Sequence, residues 1–269
     1  MLITPQYPVS PGTMARNAST AEHPFIWKGN NGSWAAGIDP SAHDLSGRGH
    51  NGTFVGNVSY SQFVGFPAWV YDGTSDAITT GATSLNPPFS YLAWVNPNSL
   101  VQYRCIVGSS GTAGQFLLSG GAVGDLAYLW NNTAAEYNWA SGVTLPINIW
   151  SLVALVMEPT STTVYMRNAS GYSTASRTSI TNAAATLGVI QIGQDRAVSD
   201  HVWSGGIGQA SIFSRVLSAW EFNRYYELTS QDRTAWARRK PLSIPYAPAA
   251  APAGGGTFPF NLYYGGGLV

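Results

Sequence analysis

Short apolar runs separated by turn-forming residues fill the middle of this chain and restrict what it can fold into. Two runs, 89–96 (FSYLAWVN) and 152–157 (LVALVM), are apolar at most positions and are bounded by proline or polar residues. Such a run is typical of a strand in the core of a sandwich, although its length alone does not exclude a buried helix. Glycine-containing turns such as Asp72-Gly73, Gly120-Gly121 and Gly205-Gly206 separate the runs.

Many short strands with almost no helical periodicity predict an all-β fold, an antiparallel sandwich or jelly roll. One short C-terminal helix is well marked, because Ser218 and Glu221 have the spacing of a capping box, and it is predicted over 219–227. Weaker strand candidates lie at 62–71, 104–107, 115–118, 126–130, 162–166 and 189–192.

Composition divides the chain into three predicted parts. Residues 1–24 hold four prolines and few aliphatic side chains, which predicts an extended arm. Residues 25–228 carry the apolar runs and form the predicted sandwich. Residues 229–269 begin as a basic linker and become a tail rich in proline, alanine and glycine, a composition that cannot form its own core.

Charge is scarce: 13 basic and 13 acidic residues make up 10% of the chain, against about 25% in an ordinary domain. Zero net charge argues against nucleic-acid binding. The chain has no stretch of ~18 consecutive apolar residues, so no membrane-spanning helix is predicted. Low charge favours association, and no charged residue follows Lys240. We therefore expect protein partners in an assembly, contacted by Arg238, Arg239, Lys240, Phe258, Phe260, Tyr263 and Tyr264.

Six segments, in order, resemble the laminin G-like branch of the concanavalin A-like lectin/glucanase superfamily. They begin with DLSGRGHNGT (44–53), YDGTSD (71–76) and FSYLAWVNP (89–97). They continue with WSLVA (150–154), Ile192-Gly193 and the stretch from Trp203 to Ser218. The resemblance spans about 44–228 and implies a jelly-roll sandwich. Flanking segments such as WAAGIDPS (34–41) resemble proteins encoded by tailed phages, which implies a virion context.

The resemblance makes calcium the most plausible ion, because Asp44, Asp72 and Asp76 lie in glycine-rich turns. The same aspartates are also ordinary turn formers whose carboxylates accept backbone N–H bonds. The family often has an acidic residue where this chain has Gly208, which weakens an inherited calcium site. We therefore predict no cofactor, with calcium as the alternative.

Hydrolysis is not expected, although the superfamily includes glucanases. Glycosidases need two suitably spaced carboxylates. The chain has five glutamates, none in the Glu-x-Asp-x-x-Glu pattern that the resemblance would require, and Glu221 is explained by the helix cap. The four histidines lie in loop-like surroundings with no GxSxG motif, so a serine nucleophile is not indicated either.

Sugar binding requires exposed aromatic rings with polar neighbours, and the segment YLWNNTAAEYNW (128–139) supplies them. Its candidate carbohydrate-binding residues are Trp130, Asn132, Tyr137 and Trp139. Alternation along a strand would instead place Tyr128 and Trp130 in the core.

Two functions remain open at this stage. The first is a non-enzymatic structural or adhesion protein of a phage particle, a capsid or tail decoration anchored by its termini to capsid or tail proteins and sister subunits. The alternative is an extracellular or cell-surface carbohydrate-binding module with a glycan partner.

Overall fold

The apolar runs form the central strands of two antiparallel sheets. The computed structural model describes residues 30–36, 41–63, 66–111, 113–195 and 201–230, with 62, 63 and 66 described by backbone alone. Its strands are β1 Asn30–Ala35, β2 Thr53–Val55, β3 Ser59–Phe63, β4 Phe66–Asp72, β5 Ala77–Thr83, β6 Phe89–Pro97, β7 Cys105–Ser109, β8 Gln115–Leu118, β9 Leu126–Leu129, β10 Ser151–Met157, β11 Ser161–Asn168, β12 Gly171–Thr178, β13 Val189–Ile192 and β14 Ser204–Phe213. Two helices follow β9 and β14: α1 Ala134–Tyr137 and α2 Ala219–Thr229.

The larger sheet has the strand order β12-β11-β10-β6-β14-β4-β3, and β14 also pairs with β1. Strand β14 is long enough to serve two neighbours on one side: Ser204 to Ile207 pair with β4, and Gln209 to Phe213 pair with β1. Its pairing with β6 shifts register between Ile207 and Gln209. Gly208, the position where the family often has an acidic residue, therefore lies at the irregularity where β14 passes from β4 to β1.

The smaller sheet has the strand order β2-β5-β13-β7-β8-β9. A core rich in aromatic rings lies between the two sheets, and Trp34, Trp69, Tyr91, Phe116 and Trp203 are among its fully buried members. These findings confirm the predicted jelly-roll sandwich of antiparallel strands with one short C-terminal helix.

The central strands of the larger sheet are buried on both faces. On β6, Ala93 and Val95 face the main core, whereas Leu92 and Trp94 belong to a second apolar cluster on the outer face. Helix α2 covers that second cluster with Phe222 and Tyr225. Two-sided burial explains why 89–96 and 152–157 are apolar at consecutive positions, since a strand with one wet face would alternate.

Helix α2 begins where the sequence predicts. Ser218 Oγ accepts the Glu221 N–H at 3.2 Å, and Glu221 Oε2 accepts the Ser218 N–H at 2.9 Å, which completes the capping box. Near the other end, the Trp94 indole N–H donates to Thr229 Oγ1 at 2.9 Å and fixes the helix to β6.

One predicted strand was wrong in its extent. Residues 62–71, taken as one candidate, belong to two antiparallel strands, because β3 and β4 pair with Phe63 opposite Phe66. Residues 64 and 65, between the two strands, lie outside the described part of the chain. The predicted arm at 1–24 and almost all of 229–269 lie outside the described residues, so the domain boundaries remain predictions.

Replacing the capping serine, Ser218→Ala, is expected to lower the free energy of unfolding by about 1 kcal/mol, because it removes an N-cap acceptor. Ser230→Ala at the other end of α2 is the matched control, with an expected change within about 0.5 kcal/mol. Urea unfolding of both variants measures the difference. Equal stability of the two variants would contradict a stabilising role of the cap.

Candidate functional site

The outer face of the smaller sheet carries an apolar patch. Leu117 on β8 and Leu129 on β9 belong to this cluster, together with Cys105 on β7 and Ala127. The opposite face of the same strands supplies the main core through Phe116 and other residues. Because apolar side chains occupy both faces of these strands, another segment of the chain has to shield the outer face from water.

The segment from Trp130 to Trp139, which we call the 130–139 segment, provides that cover. Asn131 and Asn132 both adopt left-handed backbone conformations, with φ of 52° and 58°, and turn the chain back after β9. Asparagine tolerates this conformation better than most residues, which explains the Asn-Asn pair. The chain then forms α1, and Tyr137 and Trp139 pack against the outer apolar patch.

Beside the 130–139 segment lies a cavity, and Tyr103 forms a second wall of it. Its φ of 64° is left-handed, which is an uncommon and strained state for a bulky residue. Its N–H donates to Leu118 O at 3.0 Å, and its phenol Oη donates to Asn138 Oδ1 at 3.2 Å. Its ring lies over Gly120, where an added Cβ would come within 2.1 Å of it. Only a glycine at position 120 leaves room for this ring.

His201 forms the third wall. Its Nδ1 lies 3.0 Å from Asp195 Oδ2, and the Asp195 side chain is fully buried. The carboxylate therefore orients the imidazole ring. The centroids of the His201 and Tyr103 rings are 5.4 Å apart, and those of Tyr103 and Tyr137 are 5.8 Å apart with the rings edge to face. We call these three rings, Tyr137, Tyr103 and His201, the aromatic arc.

A cavity of about 240 Å³ lies inside the arc. Its lining consists of the arc itself together with Leu117, Leu129 and Asn132. The exposed Asn132 side chain lies on the rim, and the two leucines form the apolar floor. A small concave space with apolar surface and a few polar groups is what a small-molecule site requires.

The structure brings two of the four predicted carbohydrate-binding residues to this cavity. Asn132 and Tyr137 line it. Trp130 does not, and here the prediction was wrong: its side chain is 1% exposed, and its indole N–H donates to Ala183 O at 2.7 Å within the core. Alternation along β9 sends Trp130 inward with Tyr128, as the alternative interpretation held.

Trp139 lies beside the cavity and is not among its lining residues. It is half-buried, its ring meets Tyr128 edge to face at 6.1 Å, and the Arg177 guanidinium lies 6.0 Å from its ring centroid. Arg177 also donates to Ala135 O at 2.9 Å. Trp139 and Arg177 therefore fix the 130–139 segment to the edge of the sandwich. The predicted partner-binding residues at 238–240 and 258–264 lie outside the described part of the chain.

Glu136 secures the same segment from within. Its Oε2 accepts the Trp130 N–H at 2.8 Å, and its side chain is almost completely buried. Burial raises the pKa of Glu136 to about 7, against the opposing effects of the Trp130 N–H bond and the Arg177 charge. The geometry of the cavity wall thus depends on a carboxyl group that titrates near neutral pH.

The three aspartates considered for calcium accept backbone N–H bonds. Asp44 accepts from Ser33, Ser46 and His50, and Asp76 accepts from Asn57 and Asp72. Asp72 accepts from Thr74 and Ser75. Among the described residues, no group of three or more His, Cys, Asp or Glu is placed to hold a metal ion. In the same part of the chain, no helix is long and apolar enough to cross a membrane.

With this geometry in place, the chain can be compared with known proteins. A laminin G-like profile of the concanavalin A-like lectin/glucanases superfamily matches residues 72–222, which is more than half of the chain. The chain therefore belongs to this superfamily, as the order of its motifs predicts. No match was found among curated proteins.

Solved structures share the fold at low identity. Domain 4 of AbnA, a GH43 extracellular arabinanase from Geobacillus stearothermophilus solved in complex with arabinotriose, is 18% identical with a TM-score of 0.59. That match covers 72% of this chain and 97% of the AbnA domain. The receptor binding domain of botulinum neurotoxin mosaic serotype C/D is 15% identical with a TM-score of 0.53, over 75% of this chain and 51% of the toxin chain. This chain thus spans about half of the toxin chain.

The buried Glu136 carboxyl predicts a specific dependence of stability on pH. The folded protein holds this proton more tightly than the unfolded chain, so its stabilising contribution is complete below pH 4.5 and is lost as pH rises to about 7. Glu136→Gln should therefore gain about 3 kcal/mol relative to the wild type between pH 4.5 and pH 8.

Chemical denaturation across this pH range measures the change. Glu227→Gln is the matched control, because Glu227 is half exposed and pairs with Arg224 on the surface of α2. Curves for wild type and Glu136→Gln that stay parallel across the range would show that the carboxyl does not titrate near neutral pH.

Proposed function

We propose that this protein is a non-enzymatic carbohydrate-binding module whose site is the cavity inside the aromatic arc. The single observation that carries this proposal is the combination of ring surfaces from Tyr103 and Tyr137 with polar groups of Asn132 and His201 around one cavity. The C–H face of a sugar ring is attracted to the negative face of an aromatic ring, and its hydroxyl groups need polar partners.

Rigidity of the arc supports the proposal. Tyr103 is held in an unusual backbone conformation by the bond from its N–H to Leu118 O, and its ring is held by Asn138. Strain of this kind costs about 1–3 kcal/mol and is concentrated at functional sites. A fixed ring also loses little conformational entropy when a ligand binds.

A solved structure of similar fold gives further support to the proposal of sugar binding. AbnA domain 4, which this chain matches along nearly the whole domain, was solved with arabinotriose. The likeness itself shows a shared fold, and the proposal of sugar binding rests on the cavity.

The absence of catalysis is part of the proposal. Glycosidases use a pair of carboxyl groups about 5–10 Å apart. Among the described residues, no aspartate or glutamate lines the cavity. Of the nearby carboxyl groups, that of Glu136 accepts the Trp130 N–H, and that of Asp195 contacts His201. We expect no sugar release from any glycan that the protein binds, as measured by reducing-end assay.

The binding site is tested by truncating its rings. Tyr137→Ala and Tyr103→Ala are each expected to weaken glycan binding at least tenfold, because aromatic anchors of a site commonly contribute 2 kcal/mol or more. Trp220→Ala is the matched control, since Trp220 is 66% exposed on α2, away from the cavity-lining residues. Glycan-array binding and titration calorimetry give the affinities. Unchanged binding by both tyrosine variants would exclude this cavity.

We further propose that the module is displayed on a phage particle. The support comes from the sequence: the flanks resemble phage-encoded proteins, and the tail has aromatic residues but no charge after Lys240. In this proposal the arm and tail contact capsid or tail proteins and sister subunits, and the sandwich faces outward.

Deleting 241–269 tests the display proposal separately from sugar binding. The truncated protein should no longer copurify with particles, while its glycan affinity stays the same, because the cavity is built from residues 103–201. Particle attachment that survives the deletion would contradict anchoring by the tail.

A further inference from the structure

We propose that this protein pairs with a second copy of itself through the outer edge of β12, so that the larger sheets of the two copies join into one. Strand β12, Gly171–Thr178, forms one end of the larger sheet. Its residues are not among those that line the cavity, so pairing at this edge does not depend on sugar binding. Three features support the pairing: the open edge itself, the protection of the other edges, and the side chains of the strand.

The edge of β12 is long, regular and open. Its register with β11 runs over eight consecutive pairs without a bulge. In the described part of the chain, β12 pairs with no other strand, and no loop bonds to the backbone of its outer edge. At about 3.4 Å per residue, the open edge is roughly 27 Å long. A row of unpaired N–H and C=O groups of this kind is a template for another strand.

The other edges of the two sheets are covered or short. On β1, Ser33 O accepts the Leu45 N–H at 2.7 Å, and the Ser33 N–H donates to Asp44 Oδ1 at 3.1 Å, so a loop between β1 and β2 covers this edge. Strand β9 has four residues, and the Leu126 N–H donates to Val143 O at 2.9 Å. Strands β2 and β3 have three and five residues. Both devices protect a sheet from pairing with other chains, and β12 has neither.

Strand β12 also lacks the side chains that usually protect an exposed edge. It has no lysine and no proline, and Arg177 is its one charged residue. Arg177 donates to Ala135 O at 2.9 Å, and its guanidinium lies 5.9 Å from the centroid of the Tyr128 ring. This charge is therefore engaged within its own molecule. Two copies can approach edge to edge without bringing like charges together.

The side chains of β12 favour a second copy as the partner. In a two-fold symmetric pair, the same surface of each copy has to complement itself. The exposed residues Thr174 and Ser176 meet this condition, because hydroxyl side chains can both donate and accept hydrogen bonds. The contact already occurs between β11 and β12, where the hydroxyl oxygens of Thr163 and Ser176 are 2.8 Å apart. Cross-strand pairs of threonine and serine stabilise a sheet.

A charge swap at Thr174 tests this pairing in the full chain. When two β12 strands pair through their middle, the two Thr174 side chains are opposite or diagonal neighbours, about 5–8 Å apart. Thr174→Lys and Thr174→Glu should each raise the dimer dissociation constant at least about fivefold, because like charges then face each other. An equimolar mixture of the two variants should form dimers again, since the opposite charges attract. Sedimentation equilibrium over a series of protein concentrations measures these dissociation constants.

Thr53→Lys is the matched control, because Thr53 is also exposed on an edge strand, the three-residue β2. This control should dimerise as the wild type does. A wild type that stays monomeric throughout the series would overturn the proposal. Dimers that persist in both Thr174 variants would also overturn it, and so would a mixture that fails to restore dimers, because the contact would then lie elsewhere. Circular dichroism spectra confirm that each variant is folded.

Discussion

Burial of both faces of the central strands is the constraint on which most of this structure depends. In a two-layer sandwich the inner faces cover each other, but the outer faces need separate cover whenever they are apolar. Helix α2 provides it for the larger sheet by packing Phe222 and Tyr225 over Leu92 and Trp94. The 130–139 segment covers the smaller sheet less completely. The incomplete cover leaves the cavity above Leu117 and Leu129.

Two-sided burial of the central strands explains why the fold was largely predictable from the sequence. Runs such as 89–96 and 152–157 are apolar on both faces, and the α2 capping box is a local signal that depends on two residues three positions apart. The superfamily motifs fall at strands and turns of the structure. Strands β1, β2, β5 and β12 escaped prediction. In β12, for example, the small and polar residues of GYSTASRT give no apolar pattern. Strand β12 is placed by its hairpin with β11, and β5 by pairing with β2 and with the distant β13.

The candidate site was only half predictable, and the missing half has a physical reason. Asn132 and Tyr137 lie in the segment that the sequence singled out, whereas Tyr103 and His201 reach the cavity from other connections of the fold. No periodicity relates positions so far apart. One signal was present: β8 (QFLL) and β9 (LAYL) are apolar at adjacent positions, so their outer faces required a covering segment. Trp130 was misassigned because aromatic content alone does not tell which face of a strand a ring occupies.

The sharing of β14 between β4 and β1 also determines when this protein can finish folding. Strand β1 pairs with residues 209–213 of β14, so it lacks its partner until about 170 further residues have been made. At a synthesis rate of about 5–20 residues per second, this delay is roughly 10 to 35 seconds. During that time Trp34, fully buried in the finished core, belongs to a strand with no sheet to join. Strand β1, which carries Trp34, is therefore synthesised early, and the sandwich can be completed only when β14 has been made.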